Sequence, residues 1–136
     1  MRVARWIGLG LLGAFVGAHL ALAHSTGTHT AEPAVQVTTV TMIGEVIDPQ
    51  CWFTHDSRGV EHAACATRCA RGGQGLAFLE ERTGKYYSLI ARQHGAHQNE
   101  LVLPHVGKRV QVRGIVYTKG PDSVLQVLSA AVIKSR

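Results

Sequence analysis

All three cysteines of the chain, Cys51, Cys65 and Cys69, share one segment with two of its eight histidines, His55 and His62. Thiolate and imidazole are the protein ligands that suit Zn(II) and Cu(I). Their spacing is Cys-x3-His followed by His-x2-Cys-x3-Cys. Residues 61–71 contain four alanines and are followed by Gly72-Gly73, a pattern that predicts a helix with a glycine stop. On such a helix His62, Cys65 and Cys69 stand at i, i+3 and i+7, which is one narrow face. Cys51 and His55 belong to the end of the preceding strand, across a loop short enough to fold back on that helix. Cys51, His55, His62, Cys65 and Cys69 together form a candidate three- or four-ligand site. Soft sulfur favours copper, with zinc as the alternative metal.

Another chemistry competes for the same residues. A small exported domain gains about 2–4 kcal/mol from a disulfide, and Cys51 has Cys65 or Cys69 as a partner. Three is an odd number, so one bridge leaves a thiol that needs a ligand or an intermolecular partner. Covalent haem would require Cys-x-x-Cys-His, which is absent from the sequence, and an iron–sulfur cluster is usually held by four cysteines. A Cys–His nucleophile has no oxyanion-hole motif beside it, and the segment reads as non-catalytic. Asp48, Asp56, Glu61 and the pair Glu80-Glu81 read as turn residues, a helix-start acid and a solvated strand face. His94, His97 and His105 lie in a polar stretch, where the His-x2-His pair can bind metal but the surface reading is preferred.

The elements that must position the segment follow from periodicity. Val35, Val37, Val40, Met42, Gly44 and Val46 alternate up to Asp48-Pro49 and predict a first strand. Residues 76–81 and 85–91, split by Arg82-Thr83-Gly84, predict a hairpin. Residues 109–118 alternate through Val110, Val112, Gly114 and Val116, and residues 123–133 form a fifth run after the turn at Lys119-Gly120-Pro121-Asp122. The fold class expected is mainly β: a five-stranded barrel with one short helix in the Cys/His-rich insertion between strands 1 and 2.

Ahead of the domain, Arg2 and Arg5 precede an apolar run over residues 6–23 that ends in Ala21-Leu22-Ala23, the small-x-small pattern of a secretory signal. Its alternative is an uncleaved N-terminal membrane anchor, since the run is near the lower limit of a span. Residues 24–34 read as a flexible tether, in which His24 and His29 lack the rigid frame that a copper chelate needs. Residues 35–136 form the domain. The chain of 136 residues is too short for two cores. Its formal net charge of +5 comes from scattered cations, two of them in the signal, so it is no tract for nucleic acid. The expected location is periplasmic or otherwise extracytoplasmic.

The five strands, with the run Gly107-Lys108-Arg109-Val110-Gln111-Val112-Arg113-Gly114 leading into the last hairpin, resemble an OB-fold barrel over residues 40–134. That resemblance implies ligand binding on the barrel face and through the loops joining strands 1 to 2 and 4 to 5. The Cys65/Cys69 pair with a histidine is similar to copper-delivery proteins carrying Cys-x3-Cys. Met42 with Trp52 is similar to small periplasmic OB-fold copper chaperones that use His, Met and a capping Trp. Gly44 to Cys51 and His62 to Cys69 also resemble the G-x-V-x-D-x-x-C and H-x-x-C-A-x-x-C signatures of small exported bacterial domains. These resemblances imply a soft-metal binding or thiol-redox accessory protein, exchanging metal with a donor or acceptor protein. The alternative is a disulfide-stapled OB-like module that binds a partner protein or small ligand.

Overall fold

Period-two alternation of β-branched residues builds the frame that carries the Cys/His segment. The structure, a computed structural model, describes residues 32–134. The expected signal over residues 1–23, and His24 and His29 of the tether, lie outside the described residues. Of the tether, residues 32–34 are described, and they are exposed and irregular. Five strands are present: β1 (Gln36–Ile47), β2 (Ala77–Glu80), β3 (Tyr86–Ile90), β4 (Arg109–Lys119) and β5 (Asp122–Val132). They close into a barrel in the order β1-β2-β3-β5-β4, with β3 and β5 parallel and the other pairs antiparallel. This is the five-stranded OB-like barrel that the alternation predicts.

Val110, Val112 and Val116 of β4 point inward with Val46, Phe78, Leu89, Leu125 and Val127, and these apolar side chains form the core. Burying each contributes about 1.5–3 kcal/mol relative to exposure. β1 is long enough to serve two neighbours: Gly44 and Glu45 pair with Glu80 and Leu79 on one side and with Val110 and Arg109 on the other. At that crossing the chains are so close that a Cβ on Gly44 would lie 2.1 Å from the Leu79 carbonyl oxygen. Gly114 is at a register shift between β4 and β5, where a Cβ would stand 2.5 Å from the Gln126 carbonyl oxygen. Glycine is therefore required in both strands by backbone approach. Glu80, expected on a solvated face, is 7 % exposed and hydrogen-bonds Thr83 at the turn.

The connection after β1 differs from the expectation of a loop and one helix. It contains two helices, α1 (Pro49–His55) and α2 (Ala63–Arg71). Asp48 starts α1 as its N-cap: its Oδ1 accepts the Cys51 N–H at 3.2 Å, and Pro49 occupies the first turn, where no N–H is needed. Asp56 ends α1 in the left-handed region at φ 50°. Asp48-Pro49 thus ends the strand and begins a helix at the same point. α2 begins two residues later than expected, with His62 as its cap residue, and Gly72 closes it. Among the described residues no helix is long and apolar enough to cross a membrane.

Candidate metal centre

The site is assembled from both helices of the insertion, each fixed to the barrel by different contacts. α1 leans on β3 through Trp52, whose ring stacks on Tyr86 at 5.8 Å with only 7° between planes. Phe53 meets the edge of Tyr86 at 5.3 Å while remaining 67 % exposed. α2 is seated by Ala66 and Ala70, both buried in the core cluster. The link between the helices is tied to β1, because the Gly59 N–H donates to Glu45 Oε1 at 2.5 Å and Arg58 pairs with the same carboxylate at 3.4 Å.

With the helices held this way, Cys51 from α1 faces His62 and Cys65 from the start of α2. One ligand atom from each lies within 4.8 Å of the other two, and all three residues are half-buried. Metal–sulfur and metal–nitrogen bonds of about 2.3 and 2.0 Å place the donors of a trigonal set about 3.7–4 Å apart, so small side-chain rotations would complete it. All three cysteines are free thiols. Cys69 follows Cys65 by one turn and interacts with Cys65 and Asp48. His55 is exposed at the last turn of α1 and falls outside the three-ligand group. Three of the five expected residues therefore gather around one point, Cys69 stands beside them, and His55 faces solvent.

Asp48, expected to be a turn residue, is 1 % exposed at the back of the site. Its Oδ1 accepts from the Cys51 N–H and from Gln74 Nε2, while its Oδ2 is buried without a hydrogen-bond partner. The Gln74 carbonyl in turn accepts from Asn99 Nδ2 at 2.7 Å, and Asn99 Oδ1 accepts the Leu76 N–H at 2.8 Å. This polar chain fastens the start of α1 to the segment that leaves α2. The Asp-Pro pair was the sequence signal for the cap; Gln74 and Asn99 left none.

The groups that act on the Cys51 and Cys69 thiols are acidic or thiol groups. Partial burial pushes the Cys51 thiol up from its ordinary pKa, and Asp48, Cys65 and Cys69 push it further in the same direction. Cys69 is raised for the same reasons, burial first and then Asp48 and Cys65. Among the described residues no lysine or arginine lowers either thiol. His62 Nε2 is buried without a hydrogen-bond partner. Two thiols and an imidazole around one point, with a buried carboxylate and a third thiol beside them, make a donor set suited to a soft cation.

The other expected candidates are elsewhere. Met42 packs against the barrel core, whereas Trp52 stacks on Tyr86. His94 and His97 are exposed, and His97 Nδ1 accepts the Asn99 N–H at 3.1 Å. Comparison with protein-family models, curated proteins and solved structures finds no match.

Proposed function

We propose that this protein is a non-catalytic soft-metal binding protein with copper(I) as its cargo, acting outside the cytoplasm and exchanging metal with a donor or acceptor protein. The observation that carries this reading is the approach of Cys51, His62 and Cys65 to within 4.8 Å of one another from two separate helices. Two sulfurs and one nitrogen suit three-coordinate Cu(I); zinc would need a fourth donor, for which Cys69 is the nearest thiol. The buried, unpartnered His62 Nε2 supports the same reading, because ligation satisfies a group that otherwise has no partner. The test is a competition titration of the reduced protein with a Cu(I) chelator. Stoichiometric binding is expected, with loss in Cys65→Ser and His62→Ala and little change in His94→Ala.

The second reading is a disulfide-stapled binding module, favoured by the same approach of Cys51 to Cys65. It predicts no metal in the wild type, one titratable thiol after isolation from an oxidising compartment, and lower stability when either bridging cysteine is removed. Counting free thiols and metals on one sample separates the two.

A further inference from the structure

The outer side of α2 carries a feature that the metal reading does not use. At about 100° per residue a helix of this length divides into stripes. Ala66 and Ala70 form the stripe facing the core, and His62, Cys65 and Cys69 the stripe facing α1. Ala64, Thr67, Arg68 and Arg71 form a third, turned away from the core, with Arg68 at its edge next to Cys65. This third stripe is one wall of a groove of about 570 Å³ whose other wall is the short 3-10 turn at Leu103–His105 with Val106 and Lys108.

The groove has an apolar floor, made by Ala63, Leu103 and Val106, and a rim of three cations, Arg68, Arg71 and Lys108, with no carboxylate in its lining. The ion pairs among the described residues use Arg58, Arg82, Arg109 and Lys119, so none of the rim cations is neutralised by one. Lys108 Nζ donates to the Pro104 carbonyl at 3.1 Å, which holds its charge over the groove. Arg68 and Arg71, three apart on one helix, project as neighbours, and guanidinium groups bind carboxylates through paired hydrogen bonds.

We propose that this groove docks an acidic segment of a partner protein, with carboxylates on Arg68, Arg71 and Lys108 and an aliphatic side chain on the Leu103–Val106 floor. Charge complementarity chooses the occupant, since a cationic rim without acids attracts carboxylates and repels basic chains. The apolar residues between the cations favour a segment that carries an aliphatic side chain over a lone small anion. Arg68 stands on the edge between this stripe and Cys65, so a docked partner lies beside the thiols; that it takes or gives metal there rests on the function proposed above.

The experiment uses metal-free full-length protein and a fluorescein-labelled twelve-residue peptide of glutamate and leucine, followed by anisotropy. Saturable binding that weakens with salt is expected, falling by roughly tenfold or more in the Arg68→Glu/Arg71→Glu/Lys108→Glu variant. Ala64→Trp, which crowds the groove from its α2 wall without changing charge, is expected to weaken it too, and a lysine–leucine peptide of the same length should not bind. Absence of binding, or equal binding by wild type and the triple variant, overturns the proposal. Charge-dependent binding to phosphatidylglycerol vesicles without binding to the peptide overturns it in favour of a membrane surface. Cu(I) titration of the triple variant is the separate readout: unchanged copper affinity with lost peptide binding supports the groove, and a wild type that binds peptide but no copper refutes only the metal reading.

Discussion

Asp48 links strand, helix and ligand cluster through one carboxylate. Its Oδ1 caps α1 and accepts from Gln74, and its side chain closes the rear of the thiol cluster. Loss of an N-cap costs about 0.5–2 kcal/mol, and a buried donor left without its acceptor about 1–3 kcal/mol. Asp48→Ala is therefore expected to destabilise the protein by roughly 2–4 kcal/mol in urea denaturation, while Asp48→Asn, which keeps an acceptor oxygen, loses less. Equal losses in the two variants would mean that charge, not capping, is what Asp48 supplies. The same residue shapes the pH response. Cys51 and Cys69 are raised, so near neutral pH these thiols keep their protons and a metal must displace them. The sign is fixed: affinity increases as pH rises, by about tenfold per pH unit for each displaced proton, and levels off once the thiols ionise. Titrations with a pH-insensitive Cu(I) competitor measure that slope, and a flat profile would remove Cys51 from the ligand set.

At the scale of elements, legibility tracks the length of the pattern. β4 announces itself through Val110, Val112, Gly114 and Val116, and its inward face is the one observed. α2 was legible because four alanines and a glycine stop leave few alternatives, and with it came the stripe of His62, Cys65 and Cys69. α1 was not. Its seven residues include Trp52, Phe53 and Thr54, which lack a helical apolar period, and it persists because Asp48 caps it and Trp52 stacks on Tyr86. A tertiary contact of that kind has no imprint in a single sequence. In the seven-residue helix His55 follows Cys51 by one turn, but it stands at the exposed last turn, so Cys51 joins the cluster and His55 remains in solvent. The crossing at Gly44 gives a test at this scale. Gly44→Ala puts a methyl 2.1 Å from the Leu79 carbonyl oxygen and 2.6 Å from the Phe78 ring, so β1 and β2 must part. A loss of about 2–4 kcal/mol is expected from calorimetry or urea melts, far beyond the few tenths of a surface substitution, and an unchanged midpoint would contradict the observed register.

For the whole molecule, the decisive asymmetry is between a closed barrel, whose strands satisfy one another around the ring, and an insertion held by a few specific ties. Those ties include Ala66 and Ala70 in the core, Trp52 and Phe53 on Tyr86, Gly59 and Arg58 on Glu45, and the Asp48–Gln74–Asn99 chain. Every proposed ligand is on the insertion and none on the barrel. Ties so few allow α1 and α2 to open without unfolding the sheet, and opening scatters the ligands. A metal that binds only the closed arrangement stabilises it by RT ln(1 + [L]/Kd), about 2.7 kcal/mol at a hundredfold excess over Kd. Hydrogen exchange with and without Cu(I) reads where that energy appears. Amides of α1 and of α2 are expected to slow by up to about a hundredfold, while those of Val112 and Leu125, which exchange through opening of the barrel, change much less. Uniform slowing across the chain would mean that insertion and barrel open as one unit. Slowing confined to β strands would place the metal away from Cys51, His62 and Cys65 altogether.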